Sequence, residues 1–547
     1  MSAYQLQRGV RILVCICVIA GLIVGCALPS SPVATPLPPT ATNSSPLPTT
    51  TATPPHEASP THLAEVGPSP TTAITGQVPS ASPVPLPSVT PTPTREASPT
   101  PLVEVTPTLT AVVTRQVTTA THVLAHLPAP GVNFVSIMWH WRYQSNLDWS
   151  PDSTALAYYC EGRGLCLAEA PYFTPKLLVQ EASAGVQPRW SPDGRQIAFG
   201  YDHPHPESSK HMIATIAVVQ ADGSDLRDLL PGDLAVTGTG GAGKTINRWL
   251  DNRSLTFMAH RGTEAAELYE LDVIEGTLTP LIAWEAGDLI SHTVGTIGVN
   301  YHWSPDQGTI AVERGLPGRW PCLLLVDAAS GEQTPVVDAV GGQETPPVPC
   351  PNQWFESWAP DSQRFLYGQW TEPYGATLWD SKPVLHVWET ATGEGTPLVP
   401  NGWNAAWSPK GRIIAFLLLG NPIYDQDGQI VDTDFEPGQS FALHVGLMDV
   451  DTQEIIALVP HGRATIRTFE FGKRRPVWSP DGEQVVYWDS NRDLWMMTAD
   501  GQTQWRLTEN MAVVRAVWSP DGGKLAFTSF DHIWIIEAPS RNLPNHE

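Results

Sequence analysis

One short element recurs eight times through the C-terminal three-quarters of this chain, and it limits the fold more than any other feature. It reads Trp149-Ser-Pro-Asp-Ser, Trp190-Ser-Pro-Asp-Gly, Trp249-Leu-Asp-Asn, Trp303-Ser-Pro-Asp-Gln-Gly, Trp358-Ala-Pro-Asp-Ser, Trp407-Ser-Pro-Lys-Gly, Trp478-Ser-Pro-Asp-Gly and Trp518-Ser-Pro-Asp-Gly. Successive tryptophans lie 41, 59, 54, 55, 49, 71 and 40 residues apart. A constant core at uneven spacing describes one structural unit carrying loops of different length. Ser-Pro-Asp-Gly suits a type I turn: Ser opens it, Pro presets φ at the second position, Asp and Gly complete it. A strand-like run follows, as in Gln196–Phe199 or Lys524–Phe527, then two more apolar runs separated by Gly-bearing turns.

With the residues before each Trp included, every unit reads as four antiparallel strands. Four short strands per ~50 residues, repeated, is the arithmetic of a β-propeller. The eight tryptophans are then core, wedged between neighbouring blades. Trp139, Trp141, Trp354 and Trp403 fall outside the motif and are candidates for exposed platforms. The last unit runs out of sequence before a fourth strand, while Val132–Met138 is a strand without a unit. Pairing the two closes the ring and removes an open edge. The count predicts eight blades, or seven if the Trp249 copy, which lacks Pro and Gly, is not one. The motif resembles the Trp-Ser-Pro-Asp-Gly repeats of TolB-type, WD-like propellers, which also occur in prolyl oligopeptidase-like enzymes. The resemblance runs from about Gly131 to the C-terminus and implies architecture, not activity.

The N-terminal region reads differently. Arg8 and Arg11 precede an apolar run from Ile12 to Val24, followed by Gly25 and Cys26. The run is too short to span a bilayer comfortably and suits a secretory signal. Ile23-Val24-Gly25-Cys26 resembles a bacterial lipobox, which implies a signal peptide over residues 1–25 and lipidation at Cys26. Residues 26–128 are Pro/Thr/Ser-rich with no periodic apolar face, so they read as a disordered tether ahead of a propeller over 129–547. These expectations place the protein outside the cell membrane, held by its lipid. The formal charge of −24 lies wholly in the body, because residues 1–128 carry four basic and four acidic side chains. Nucleic acid is excluded as a partner by the absence of basic clusters.

Several smaller motifs invite a function. Cys160, Cys166, Cys322 and Cys350 allow three pairings. Cys160 and Cys166 bracket a Gly-rich hairpin, and Cys322 would then pair with Cys350 across blades four and five, while zinc is disfavoured by the spacings. Gly238–Thr245 matches a phosphate-binding loop letter for letter, but a strand and turn follow it where a helix is required, so no nucleotide is expected. Asp425, Asp427 and Asp434 flank Gly428 in the longest insertion, between blades six and seven, like a calcium loop short of one ligand. His203, His205 and His211 occupy a loop of blade two, and some TolB-like propeller lyases use funnel histidines with a divalent ion. No Gly-x-Ser-x-Gly elbow is present and no segment remains for an appended hydrolase domain. The leading expectation is a non-catalytic binding or scaffold module for a protein or glycan partner at the cell surface, with no cofactor beyond a calcium or other divalent ion. The alternative is a metal-dependent polysaccharide lyase or hydrolase using the propeller funnel.

Overall fold

A computed structural model describes residues 114–116, 123–128, 147–160, 164–180, 182, 187–205, 208–231, 234–236, 246–261, 267–282, 300–314, 322–336, 353–371, 381–465, 474–529 and 532–539. Among these, every regular element is a β-strand. Eight antiparallel sheets follow one another in chain order as the blades of a propeller. The first strand of each ends in the motif tryptophan: Leu147–Trp149, Arg189–Trp190, Ile246–Trp249, Asn300–Trp303, Gln353–Trp358, Gly402–Trp407, Val477–Trp478 and Val513–Trp518. The divergent Trp249 copy therefore does head a blade.

The turn after each tryptophan is held by its own side chains. Ser150, Ser191, Ser304, Ser479 and Ser519 each donate from Oγ to the aspartate two residues on, at 2.5–2.7 Å. The same oxygens accept the main-chain N–H that opens the second strand, as from Ala155 at 2.8 Å and Lys524 at 2.9 Å. The fourth turn residue is left-handed, with φ of 70° at Gly194 and 71° at Gly522, a region glycine enters without steric cost. Ser153 (φ 64°) and Ser362 (φ 61°) stand at that place instead, and each serves its neighbour. Ser153 Oγ accepts the N–H of Asp521 in blade eight at 2.9 Å, and Ser362 Oγ accepts that of Asp306 in blade four at 3.0 Å.

Between blades the indoles make a relay. Trp190 donates from Nε1 to the carbonyl of Asp148, Trp249 to Arg189, Trp358 to His302, Trp478 to Ala406, Trp518 to Val477 and Trp149 to Val517, at 2.8–3.3 Å. Every acceptor is the residue just before the preceding blade's motif tryptophan. The bond from Trp149 to Val517 joins blade one to blade eight, so the ring is closed. Apolar packing follows the same plan, with a separate buried cluster at each of the eight interfaces. Seven motif tryptophans are buried and Trp303 is half-buried.

Closure uses an N-terminal strand, as the edge argument requires, but a different one. Val123–Pro128 pairs antiparallel with His532–Glu537 and completes blade eight. Leu127 from this strand is buried in the cluster shared with Trp149 and Tyr158 of blade one. Val132–Met138 lies outside the described residues. Upstream, Thr114–Gln116 adds a parallel fifth strand beside Thr503–Arg506 of blade seven. The ring thus begins inside the stretch read as tether. Leu127 carries the burial of this strand, with Leu124 and Ala125 half-buried beside it, and the surrounding Pro/Thr/Ser composition hid them. The remainder of the tether, Cys26 and the leader lie outside the described residues.

Other assignments also shift. The acidic insertion sits within blade six, where Pro422–Tyr424 and Ile430–Thr433 form a hairpin between the second strand, Ile413–Leu419, and the third, Ser440–Asp449. The histidine segment is not a loop: Gln196–His205 and Ser208–Gln220 form one long hairpin, with His203 opposite Ile213 in register. Nor are Trp354 and Trp403 platforms. They pack with Trp370 at ring separations of 4.2–5.3 Å, and a Cβ at Gly368 would overlap the Trp354 indole. Trp139 and Trp141 lie outside the described residues. A disulfide joins Cys160 and Cys166 across the second hairpin of blade one. Cys350 and the Cys322 side chain are outside the described residues.

Two predictions follow from this packing. Trp478→Phe deletes a bonded indole N–H and should lower stability by about 1 kcal/mol, whereas Trp407→Phe, whose buried Nε1 has no acceptor, should cost clearly less in the same urea titration. Asp493 is fully buried in blade seven and accepts from Arg506 at 2.8 Å and from the N–H groups of Asn510 and Met511 at 2.9 and 3.0 Å. Burial alone would raise its pKa, but these donors outweigh it and hold the carboxyl below the ordinary 3.8. Its stabilisation is therefore complete above that value and lost as pH falls through the lower folded value. Asp493→Asn should cost about 3 kcal/mol at neutral pH, with the gap to the native chain narrowing below pH 3.8.

Candidate functional site

The first strands line the axis of the ring, and their side chains divide it into two unlike halves. Around blades five to seven the interior is filled by a polar plug. Glu356 is buried and accepts from Trp354 Nε1 at 2.7 Å, from Asn404 N at 3.0 Å and from Arg475 at 2.7 Å. Arg475 enters from blade seven, so the ion pair bridges past blade six inside the ring. Burial raises the Glu356 pKa, and Arg475 opposes it most strongly. In blade four, Glu313 accepts from Asn300 at 2.7 Å and from Phe355 N at 2.6 Å, with His302 Nε2 at 3.7 Å.

Blades one to four leave an open cavity of about 490 Å³. Trp190, Trp249, Trp303 and Tyr301 supply its aromatic wall, and Asp148, Arg189, Asn247 and Arg248 its polar groups. Pro192, exposed on the turn of blade two, stands at its rim. These residues arrive together because each first strand ends at its tryptophan on the same side of the disc. Asp148 pairs with Arg189 at 3.5 Å and accepts the main-chain N–H of Trp190 at 2.9 Å. Burial pushes the Asp148 pKa up, while Arg189 and Arg515 pull it back. Arg515, from blade eight, is lowered to about 10, mainly by burial and further by Arg189, and so stays protonated at neutral pH. Asn247 donates to the Tyr301 carbonyl at 2.9 Å and so anchors the wall.

Arg248 is different. Its contacts to the carbonyls of Trp249 and Ser304 are both 3.4 Å, long for hydrogen bonds, and among the described residues no carboxylate pairs with it. Trp303 is also an exception, because its buried Nε1 has no acceptor. The relay would send it to the Arg248 carbonyl, which instead accepts from Thr256 Oγ1 at 3.2 Å. The cavity therefore presents a guanidinium beside flat apolar surfaces, a combination suited to holding an anionic or polar ligand.

The residues singled out from the sequence are not brought together here. The hairpin carrying His203, His205 and His211 joins the second and third strands of blade two, at the opposite end of the blade from its Trp-Ser-Pro turn. Their side chains lie outside the described residues. Asp425 accepts the N–H groups of Asp427 and Gln429, and Asp434 accepts from Asn421, so the acidic hairpin spends its carboxylates on its own turns. Among the described residues no three His, Cys, Asp or Glu side chains converge as a metal site. Leu234–Val236, ahead of the glycine-rich stretch, pairs with Ala259–Arg261 as an extra strand of blade three, while residues 237–245 lie outside the described residues.

The cavity residues were overlooked, yet a signal existed. The position just before the motif tryptophan is Asp148, Arg189, Arg248 and His302 in the first four units, but Ser357, Ala406, Val477 and Val517 in the last four. Charge and ring nitrogen concentrate in one half of the repeat.

No protein-family model matches the chain, and no curated protein matches it. Solved structures similar to it include the C-terminal WD40 domain of Sif2, 13% identical over 78% of this chain and 100% of that one, with a TM-score of 0.45. An oligogalacturonate lyase in complex with manganese is 12% identical over 73% and 90%, at 0.40. TolB from Acinetobacter baumannii is 13% identical over 72% and 79%, at 0.31. Likeness at this level carries no functional argument; by its own strand order and closure the chain is an eight-bladed β-propeller.

Proposed function

We propose that this protein is an exported, lipid-anchored propeller that binds a protein or glycan partner at the outer face of the cell membrane, without catalysis, through the cavity of blades one to four. The single observation that carries the reading is an Arg248 without a paired carboxylate among the described residues, set against an aromatic wall in an open cavity. A buried or half-buried cation without a carboxylate is unfavourable unless something meets it. Rigid repeats suit such a role, because eight interlocked blades hold the cavity walls in place without the ligand. The leader and Cys26 support the location, and the Pro/Thr/Ser-rich stretch would hold the ring away from the lipid surface.

Two measurements check this. Cys26→Ser should abolish metabolic labelling with radioactive palmitate and release the protein into the medium; labelling that persists removes the anchor. Pro192→Trp should roof the cavity from its exposed rim while leaving the core untouched. Cross-linking on intact cells should then recover a partner with the native chain and lose it with this variant. Recovery of the same partner by both would end the assignment of this cavity.

A further inference from the structure

Arg189 and Arg515 both act on one carboxylate, Asp148, while Arg248 lines the cavity with no carboxylate paired to it among the described residues, in a chain of net charge −24. Asp148 is committed to Arg189 and to the Trp190 N–H, so it does not neutralise the others at contact distance. Arg515 keeps a buried Nη1 without a partner, and Arg248 faces the cavity. Trp303, on the same wall, is one of two motif tryptophans that the relay leaves out, and its Nε1 is sealed from the cavity. One charged donor without a carboxylate partner thus borders the space. In the plug, by contrast, Arg475 has Glu356 as its partner.

From this geometry we infer that the cavity takes a small organic carboxylate with a flat apolar or sugar-ring body, its carboxylate on Arg248 and its body against Trp190, Trp249 and Tyr301. The inference rests on the reading that this cavity is the binding face. A guanidinium fork matches two carboxylate oxygens, and charge-assisted bonds of this type are the strong ones. A phosphate dianion would call for further donors, of the kind a helix N-terminus or a nest of backbone N–H groups supplies, and the described lining has neither. A polyanion would meet the strongly acidic surface outside the cavity. The volume, about 490 Å³, lies within the range of small-molecule sites, roughly 300–1,000 Å³.

The test is calorimetric titration of the full chain in detergent at low salt. D-glucuronate is compared with D-glucose, benzoate with benzamide, and inorganic phosphate is a fifth probe. At least one acid should bind about tenfold or more tightly than its neutral counterpart, and the successful pair tells a sugar body from an aromatic one. Arg248→Gln should remove that preference and Arg248→Lys should keep part of it, both with unchanged thermal melting. Equal binding of acid and neutral forms in both pairs overturns the inference, and so does phosphate bound as tightly as the better acid. If no acid binds while Pro192→Trp still blocks partner recovery, the cavity stands as the binding face and the carboxylate assignment falls. An acid bound through Arg248 with partner recovery unaffected by Pro192→Trp keeps the carboxylate site and removes the partner reading.

Discussion

Each blade of this propeller is a four-stranded sheet with two apolar faces, and neither face is covered within the blade. The interaction that joins one blade to the next is a tryptophan wedge whose indole N–H reaches the carbonyl just before the neighbouring tryptophan. A buried indole N–H needs an acceptor and a strand-end carbonyl needs a donor, so one bond satisfies two buried groups while the ring fills the gap. Because the acceptor adjoins the next blade's own wedge, the geometry of one interface sets that of the following one. The result is a closed circuit in which Trp149 answers to Val517 across the junction of first and last blades.

The two breaks in the circuit are informative. At Trp407 the link is replaced by a main-chain bond, its N–H meeting Ser357 Oγ at 3.1 Å, and the indole packs beneath the Arg364 guanidinium. At Trp303 the indole N–H has no acceptor, and the two blades are joined instead by Asn247 donating to the Tyr301 carbonyl at 2.9 Å, at an interface that borders the cavity. The interior follows the same division. In blades five to seven Arg475 is paired with Glu356, whereas in blades one to four Arg248 has no carboxylate partner among the described residues. A site of this kind arises where a repeat stops satisfying itself.

How much of this was legible depends on the range over which each feature acts. The turns and strands depend on residues within five positions, such as Ser150 with Asp152 and Ala155, and these read directly from the motif. The need for an N-terminal closing strand was also legible, because the last unit is one strand short. Which segment supplies it was not: Val123–Pro128 lies inside a proline-rich stretch, and only Leu127 meeting blade one distinguishes it. The histidine segment and the acidic insertion were misplaced for a related reason. Polar residues beyond the regular strand length look like loops, yet antiparallel partners opposite them extend the ladder outward.

The amino-acid sequence by itself determined the repeating unit, its turn chemistry, a count of eight blades with seven as the alternative, and the need for the ends to meet. All of these follow from short-range backbone preference and from a hydrophobic pattern that tolerates only one packing. The tertiary structure alone decided which strand closes the ring and which tryptophans find their acceptors. It also decided that Arg475 meets Glu356 while Arg248 meets no carboxylate among the described residues. Those outcomes depend on distances between residues up to several hundred positions apart, and they are set only once the ring has closed.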